Sequence, residues 1–453
     1  MTGVHAHDIA EQVAGVHAHD AAEQVADVHE RLRAALHAEL PAACDLRREL
    51  HAEPCVSGRE EPTLKRVLDA LPEGTTLEPV AETGAILRIG GEGPAVGVRG
   101  ELDALPITEE TGVPWAASNG AMHACGHDVH LAALVALARA VDRVGAPAPM
   151  VAVLQPREET YPSGALDIVE SGALDRHRIG AMVAAHVQPV LAAGETACTP
   201  GAVNASADEF TLIVRGQGGH AAYPQLSRDP VLALAQIIVA AQQLVSRDSD
   251  PMTPTVVTFG TVSAGTAPNA TPADAVARGT LRTMSEAWRE QLHERFRVIA
   301  DGVARAHGCE AEVLIARGEP VLVNDARLAE ETSRLLSGPG HGSDPGSRSG
   351  HGSGHGFRSG HGSGSGRGPG HNSGRGPGYH APAVLRSCGA DDFAYYASAV
   401  PSLMMFVGTD TTSGLHSPGF LPGDETVTAV AESLLAAYLA AAHLIDTGRS
   451  YEA

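Results

Sequence analysis

The sequence lacks the basic surplus that nucleic-acid and acidic-membrane partners require. Its 453 residues carry 32 Lys and Arg against 54 Asp and Glu, a formal net charge of -22. Binding to phosphate backbones or anionic lipid needs clustered cations that neutralise negative charge. We therefore expect neither nucleic acid nor membrane among the partners of this protein.

Long apolar segments are also scarce. Residues 1–15 contain no basic segment leading into an apolar core, the arrangement that a secretory signal needs. The longest apolar candidate begins at Leu131 and is interrupted by Arg139, Asp142 and Arg143, so no uninterrupted run reaches the roughly 18 residues that span a membrane. These features predict a cytoplasmic protein.

Cysteine is sparse, and its spacing excludes a common kind of zinc site. The six cysteines are scattered, and no Cys-x-x-Cys pair occurs anywhere in the chain. A structural zinc site usually contains such a pair, whereas catalytic metal sites are assembled from distant segments. The thiols are expected to be free, as in a reducing compartment, and Cys125 alone stands among other ligand-type residues.

The richest stretch for metal chemistry is Met122–His130, which reads M-H-A-C-G-H-D-V-H. Thiolate, imidazole and carboxylate together suit borderline-soft divalent ions, and a Cys and a His around a Gly turn make half of a site. The alternative is a buried cysteine beside a helix N-terminus, surrounded by core histidines. The apolar segment that follows predicts a helix over residues 131–144.

Three buried strands are each predicted to carry ligand-type residues at their ends. Ligands gather at the carboxyl ends of strands in open α/β sheets, so these side chains can reach a site near Cys125. Adjacent like charges in an apolar setting are best tolerated beside a cation, although each group could also be an ordinary solvated strand exit. In chain order the residues are Glu101 and Asp103, Glu158 and Glu159, and His186.

The length predicts two domains, one inserted into the other. The fold class is α/β: a catalytic domain with a central mixed sheet flanked by helices, interrupted by an α+β lid in the order strand, helix, strand, strand, helix. A lone His416 follows a later strand at a Gly-rich turn. The predicted segments are a repeat-containing extension (1–27), the catalytic domain (28–204, 317–336 and 380–453), the lid (205–316) and a disordered Gly/Ser/His-rich insert (337–379).

Eight motifs in order resemble a known family, the metallopeptidases related to carboxypeptidase G and aminoacylase. Within that family the chain is most similar to the branch of hippurate hydrolases, N-acyl-amino-acid amidohydrolases and auxin-conjugate hydrolases. The likeness covers roughly residues 46–444 apart from the insert. The motifs are R-G-E-L-D-A-L-P, M-H-A-C-G-H-D-V-H, L-Q-P-R-E-E, A-A-H-V, G-G-H-A-A-Y-P, G-T-L-R-T, G-A-D-D-F and L-H-S-P-G-F.

The resemblance implies a centre of two divalent metal ions, with zinc, manganese, cobalt and nickel all compatible with the donor set. Such a centre would hydrolyse an amide bond of an N-acyl amino acid, hippurate-like or N-acetylated, through a water activated by the metals. The five implied ligands are Cys125, His127, Glu159, His186 and His416.

The resemblance also assigns roles outside the ligand set. Glu158 would be the general base, and Asp103 would orient a ligand histidine. His220 of the lid would reach into the partner subunit's site, which implies a homodimer or higher oligomer formed through the lid. Asn269 and Arg282 would meet the carboxylate end of the substrate.

The chain departs from the family pattern at a few positions. Glu101 stands where Asp is usual, Gln225 where His often follows the lid proline, and Asp391 where Glu is common. None of these departures removes an implied ligand or the base. The open alternatives are a dipeptidase, an N-acetyl-diaminopimelate deacetylase, a metal-buffering or ligand-binding protein without catalysis, and a structural zinc domain.

Overall fold

The structure is a computed structural model that describes residues 4–72, 76–145, 147–338 and 384–446, with side chains from residue 27 onward. The predicted insert lies outside the described residues except for Ser337 and Gly338. In the repeat-containing extension, the backbone of residues 4–26 is helical, but the side chains of these residues lie outside the described part as well.

Helices alternate with strands along most of the chain, as the sequence pattern predicts. The described helices are α1 (Val4–Ala52), α2 (Glu61–Ala70), α3 (His127–Val144), α4 (Gly164–Glu170), α5 (Ala173–Arg176), α6 (Pro230–Ala241), α7 (Glu286–Ala306), α8 (Ala326–Ser337), α9 (Ala394–Ala399) and α10 (Asp424–Asp446). The described strands are β1 (Leu77–Val80), β2 (Gly84–Ile89), β3 (Ala95–Glu101), β4 (Met150–Gln155), β5 (Ile179–Ala192), β6 (Thr196–Ala197), β7 (Gly201–Asn204), β8 (Ser206–Arg215), β9 (Gly219–His220), β10 (Thr255–Ala264), β11 (Ala270–Thr271), β12 (Asp274–Thr283), β13 (Glu310–Arg317), β14 (Leu322–Asn324) and β15 (Ser402–Thr409).

The larger domain is built on a seven-stranded mixed sheet in the order β1-β2-β4-β3-β5-β15-β6. The central pairs β3 with β4, β3 with β5 and β5 with β15 are parallel, and the outer pairs are antiparallel. Strand β4 is buried at all six positions, as expected for a strand covered on both faces. The predicted α/β class with a central mixed sheet is confirmed.

Helices cover both faces of this sheet and make a three-layer core. Helices α1, α3 and α10 pack together on one face with apolar residues of α2 and α8. Helices α4, α5 and α9 cover the other face. Each sheet face is therefore buried against helices, and the strand ends stay open for polar residues.

Two helical segments are long and apolar enough on average to span a membrane, although neither is an uninterrupted apolar run of roughly 18 residues. They are Pro230–Asp248 and Asp424–Asp446, and 33% and 67% of their respective apolar windows are buried in this fold. The second is α10, whose apolar surface packs against α3, α8 and β5. The apolar character of α10 is therefore explained by its burial in the core of the larger domain.

The smaller domain carries a separate four-stranded antiparallel sheet in the order β10-β12-β8-β13. Helices α6 and α7 pack on one face of it around Phe210, Leu212 and Phe296. Strand β13 was not predicted, because its exposed and half-buried residues alternate without a fully buried position. We call this smaller domain the lid.

Three predicted boundaries differ in the structure. Helix α3 begins at His127 rather than Leu131, because Gly126 takes a left-handed conformation and starts the helix one turn earlier. Strand β5 does not end at His186 but continues to Ala192, so His186 lies within the strand. The sequence pattern predicts a helix over residues 230–245, but α6 ends at Ala241 and is followed by a π-helical turn from Leu244 to Asp248.

Candidate metal centre and catalytic cleft

A glycine turn holds the thiol and the first imidazole of the centre at the start of α3. Gly126 has a φ of 81°, and a Cβ atom there would stand 2.5 Å from Val187 Cγ2. Only glycine combines the left-handed conformation with so close a neighbour. The turn therefore presses the Cys125 to His127 segment against β5, next to His186.

The five side chains that the sequence analysis named as ligands converge in the structure. Ligand atoms of Cys125, His127 and Glu159 lie within 4.8 Å of one another. The Cys125 Sγ atom is 3.4 Å from His186 Nε2. On the opposite side, His416 Nε2 is 3.3 Å from Glu159 Oε1. One thiol, three imidazoles and one carboxylate thus surround a single small volume.

Two of the imidazoles present a free nitrogen to that volume. His127 Nδ1 donates to the carbonyl oxygen of Asp103 at 2.8 Å, and His186 Nδ1 donates to the carbonyl oxygen of Val187 at 2.7 Å. Each ring is thereby fixed with its Nε2 lone pair directed inward. Burial, reinforced by the charge of neighbouring histidine, lowers the pKa of His186 to about 4, so this ring stays neutral as a ligand must.

Buried polar atoms without hydrogen bonds indicate that this site can bind metal ions. His127 Nε2 and Glu159 Oε1 are buried and make no hydrogen bond of good geometry in the described structure, although Glu159 Oε1 lies 3.3 Å from His416 Nε2. Buried polar atoms normally find partners, so orphaned atoms that face one another mark a place for a cation. Imidazole, carboxylate and thiolate are also the donors that zinc and its neighbours accept.

Glu158 lies beside the centre and does not share the His416 contact of Glu159. Its Oε2 atom is 3.6 Å from His127 Nε2, and its side chain is 12% exposed. Burial, followed by the negative charges of Glu159, Asp391 and Asp392, raises the pKa of Glu158 well above its usual range. A carboxyl group in this environment can take up a proton at neutral pH.

Asp103 contacts the centre through its backbone as well as its side chain. Its carbonyl oxygen accepts from His127, while its carboxylate oxygen Oδ1 is farther from the same ring nitrogen, at 3.6 Å. The other carboxylate oxygen accepts from Ser57 Oγ at 2.7 Å and from the Glu159 amide at 2.9 Å. Asp103 therefore connects two ligand-bearing segments.

A buried arginine beneath the centre was not predicted from the sequence. Arg99 of β3 has no exposed side-chain surface. Its guanidinium donates to four side chains: Gln155 (3.1 Å), Glu101 (2.8 Å), Asp391 (3.1 Å) and Asp392 (2.9 Å). An arginine within an otherwise apolar strand requires buried acidic partners, and this was the signal that could have revealed the network.

The Arg99 network reaches the metal centre through His130. Glu101 Oε2 accepts from His130 Nδ1 at 3.2 Å, and His130 Nε2 accepts from the Val187 amide at 3.0 Å, one residue after His186. Although burial opposes ionisation, Arg99 and His130 lower the pKa of Glu101 well below its usual range. The network thus sets the position of the strand that carries His186.

A second buried cluster, also missed, fixes the first turn of α3. Asp128 accepts from Arg47 Nε at 2.7 Å and contacts His51 Nδ1 at 2.8 Å. The Arg47 guanidinium also lies 4.7 Å from the centre of the Trp115 ring. Through these contacts, α1 holds the turn on which Cys125 and His127 are mounted.

The lid faces the centre across a cleft of about 590 Å³, lined by Glu158 and Glu159 on one side and by Arg282 on the other. Arg282 Nη1 donates to the Cys388 carbonyl oxygen at 3.1 Å. His220 and Asn269 do not line this cleft. They lie together at an exposed two-stranded ribbon of the lid, where the Ala221 amide donates to the Asn269 carbonyl oxygen at 3.0 Å.

Comparison with known proteins identifies the family. Residues 97–364 match peptidase family M20/M25/M40. An N-acetylcysteine deacetylase of Bacillus subtilis is 31% identical over 407 residues, covering 88% of this chain and 95% of that protein. An N-acetyldiaminopimelate deacetylase of Exiguobacterium sibiricum is 30% identical over 396 residues, covering 85% of this chain and 95% of that protein.

A solved structure supports the same assignment. The crystal structure of a Bacillus subtilis protein described as a dinuclear metal binding peptidase from the M20 family superposes with a TM-score of 0.73 at 28% identity, covering 91% of this chain and 99% of that one. Family match, relatives and fold agree with the resemblance seen in the motifs. The chain belongs to peptidase family M20/M25/M40 and is a metal-dependent hydrolase that acts on amide bonds.

Proposed function

We propose that this protein removes the acetyl group from N-acetyl amino acids. The observation that carries the proposal is the convergence of five ligand-type side chains around one further carboxyl group, Glu158, in a cleft that also contains Arg282. The motif resemblance implied a broader N-acyl range that included hippurate. The names of the relatives favour an acetyl group over the benzoyl group of hippurate, and among the open alternatives they support an N-acetyl-diaminopimelate deacetylase.

The metal centre is proposed to hold two divalent ions, bound by Cys125, His127, Glu159, His186 and His416. The relative described as a dinuclear metal binding peptidase supports the number of ions, and the orphaned His127 and Glu159 atoms support the donor set. Two such ions supply an activated water and polarise the amide carbonyl of the substrate.

Glu158 is proposed to move the proton. It borders the centre and the cleft, and its raised pKa suits a carboxyl group that accepts a proton from water and then gives it to the leaving amine. Asp103 is proposed to hold His127 and the Glu159 backbone in place.

Arg282 is proposed to bind the α-carboxylate of the substrate. Its guanidinium lines the same cleft as Glu158 and is held there by the Cys388 carbonyl. A guanidinium binds a carboxylate through charge-assisted hydrogen bonds, and this selects N-acyl amino acids over neutral amides.

His220 and Asn269 are proposed to act in the site of a partner subunit. Both are exposed at the lid ribbon and outside the cleft of their own chain. The lid also exposes Leu232 (51%) and Val239 (70%) on α6, an apolar strip that supports a homodimer interface. An oxyanion stabilised by the partner's His220 would make each site depend on both chains.

A cytoplasmic location is proposed together with this small-molecule chemistry. The free cysteines fit a reducing compartment, and the long apolar helix α10 is accounted for as a core element. No nucleic-acid or membrane partner is needed for the reaction.

The proposal is tested by removing metal with a chelator and reloading the protein with zinc, manganese, cobalt or nickel separately. Release of free amine is then measured for N-acetyl amino acids, N-benzoyl amino acids and dipeptides. We expect metal-dependent hydrolysis with the highest kcat/KM for N-acetyl amino acids. Hydrolysis of dipeptides without N-acetyl substrates would establish a dipeptidase instead, and metal binding without any hydrolysis would support the buffering alternative.

A further inference from the structure

A second cavity adjoins the metal centre and is lined, among the described residues, only by the catalytic domain. Its volume is about 320 Å³. Glu158 and Glu159 border both this cavity and the 590 Å³ cleft under the lid, so the two spaces meet at the proposed reaction centre. Four of the side chains named as metal ligands line the second cavity: Cys125, Glu159, His186 and His416.

The two spaces correspond to the two halves of an amide substrate. Arg282 lines the lid-side cleft but not the second cavity, whereas Asn204 lines the second cavity but not the cleft. If the α-carboxylate is bound at Arg282, the amino-acid half lies in the cleft. The acyl half, on the other side of the amide bond, then enters the cavity that contains Asn204.

The backbone around Asn204 is held on both sides by other segments of the catalytic domain. Asn204 is the last residue of β7 and lies opposite Leu322 of β14. The next amide, of Ala205, donates to the carbonyl oxygens of Ser387 (3.2 Å) and Gly389 (3.0 Å). The position of the Asn204 side chain is therefore fixed before any substrate binds.

The Asn204 side chain has no partner of its own. It is only 6% exposed, its Oδ1 atom is buried without a hydrogen bond, and no described group pairs with its Nδ2 atom, which lies beside Gly389 of the cavity wall. The other neutral polar side chains of the wall are engaged: Ser387 accepts from the Gly389 amide at 2.9 Å, and Gln188 accepts from the Val190 amide at 3.4 Å. A buried amide without a partner is costly, so one beside a catalytic centre is expected to pair with substrate.

We propose that Asn204 determines specificity for the acyl half of the substrate, and that its cavity takes a short acyl group with a neutral hydrogen-bonding substituent, such as hydroxyacetyl. The inference rests on the proposed function and defines its acyl group more closely. A hydroxyl group both donates and accepts. It can therefore pair with either the oxygen or the nitrogen of the Asn204 amide.

Other substituents fit this cavity less well. An ammonium group, as in a dipeptide, would stand beside metal cations and be repelled, whereas a carboxylate would compete for the positions that the metal ligands surround. An apolar substituent could pack against Phe406 and Leu415, which also line the cavity, but it would leave Asn204 unpaired. A neutral polar substituent avoids all three costs.

The test compares N-hydroxyacetyl-methionine with N-propionyl-methionine, whose acyl groups are similar in size and differ in the hydroxyl. The value of kcat/KM is measured for both with the original protein and with Asn204→Leu, which replaces the amide by an apolar group of similar volume. We expect the hydroxyacetyl-to-propionyl ratio to fall about tenfold in the variant, since a hydrogen bond to an otherwise unpaired buried group contributes about that factor. The intrinsic reactivity of the two carbonyls cancels in this comparison between proteins.

Gln291→Leu is the matched control. It makes the same kind of amide-to-leucine change at an exposed position of α7 that lines neither space, and it should alter the ratio by no more than about twofold. An unchanged ratio in Asn204→Leu overturns the subsite while leaving the amidohydrolase proposal in place.

A binding measurement tests the subsite independently of turnover. In metal-loaded Glu158→Gln, calorimetry should show tighter binding of N-hydroxyacetyl-methionine than of N-propionyl-methionine, and adding Asn204→Leu should remove that preference. Equal affinities with and without Asn204→Leu would overturn the subsite. Failure of the original protein to hydrolyse any N-acyl amino acid would separately overturn the proposed deacetylation.

Stability distinguishes substrate binding from a structural role of Asn204. Asn204→Leu should raise the midpoint of thermal unfolding by about 1 to 3 °C, because it removes an unpaired buried amide. A lowered midpoint with an unchanged substrate ratio would make Asn204 a structural residue and overturn the subsite. Asn204→Ala provides the same comparison of substrates if leucine prevents folding.

Discussion

Glu158 and Glu159 are adjacent in sequence but have different surroundings. Glu159 meets His416 and the cluster of Cys125 and His127, whereas Glu158 is buried toward the acidic pair Asp391 and Asp392. Two neighbouring carboxyl groups with different environments can divide metal binding and proton transfer between them.

Replacement of Glu158 tests that division. We expect Glu158→Gln to lower kcat at least 100-fold, because general acid–base catalysis typically contributes that much, while metal content measured by mass spectrometry stays unchanged. Glu159→Gln is the matched control and should lose metal along with activity. Full turnover by Glu158→Gln would exclude it as the base.

The two acidic departures from the family pattern meet at one arginine. Arg99 Nη1 contacts Glu101 and Arg99 Nη2 contacts Asp391, so one partner is longer and the other shorter than the family usually has. We expect Glu101→Asp and Asp391→Glu singly to lower the free energy of unfolding by about 1 to 3 kcal/mol, since each disturbs a buried charged hydrogen bond.

The double variant should recover most of that loss, because the summed side-chain length around Arg99 is restored. Chemical denaturation of the four proteins measures the coupling, and kcat with metal content reports whether His186 has moved. Additive losses in the double variant would show that the two positions are independent.

At the scale of single elements, the turn before α3 has the strictest geometry. Gly126 and Gly120 have the same φ of 81°, but a Cβ atom at Gly126 would contact Val187 whereas one at Gly120 has nothing within 4 Å. We expect Gly120→Ala to cost about 1 to 2 kcal/mol from the left-handed backbone alone.

Gly126→Ala should cost more than its matched control and should also reduce metal occupancy, because the Cβ atom pushes the Cys125 turn away from β5. Thermal denaturation and metal analysis of both variants separate backbone strain from displacement of the ligands. Equal effects of the two substitutions would contradict the role given to the Val187 contact.

Much of the catalytic domain could be predicted from local pattern, because its buried strands are short apolar runs with sharp polar ends. The run M-V-A-V-L-Q, for example, predicts a strand over Met150–Gln155, and β4 has those bounds. His186 was wrongly placed at a strand end, since the run through Val187 to Ala192 pairs only partly with β15 and its polar residues resemble a loop. Its side chain still reaches the centre, because β5 passes beside the Gly126 turn.

Contacts between distant segments could not be predicted from the same pattern. Arg99 lies in an apolar run, and its partners Asp391 and Asp392 follow almost 300 residues later, so only the fold pairs them. Strand β13 was missed because it is an edge strand whose partly exposed residues lack the apolar alternation that predicts strands.

At the scale of the whole molecule, the separation of His220 from its own cleft can be tested by mixing subunits. We expect His220→Ala and Glu158→Gln to be nearly inactive alone. After denaturation and refolding together, mixed dimers would contain one site with both residues, and about a quarter of the original activity should return. No recovery, with mixed dimers verified by mass spectrometry, would place His220 outside the partner's site.

The route by which the chain enters and leaves the lid has a further consequence. Strands β7 and β14 pair antiparallel, and Asn204 lies directly opposite Leu322, so the two crossings are neighbours roughly 5 Å apart. A turn of a few residues could close that gap after excision of everything between them. The lid is thus joined to the catalytic domain through one pair of neighbouring strands. Its cleft-lining surface can therefore be exchanged or redesigned while the catalytic domain keeps its own sheet and core.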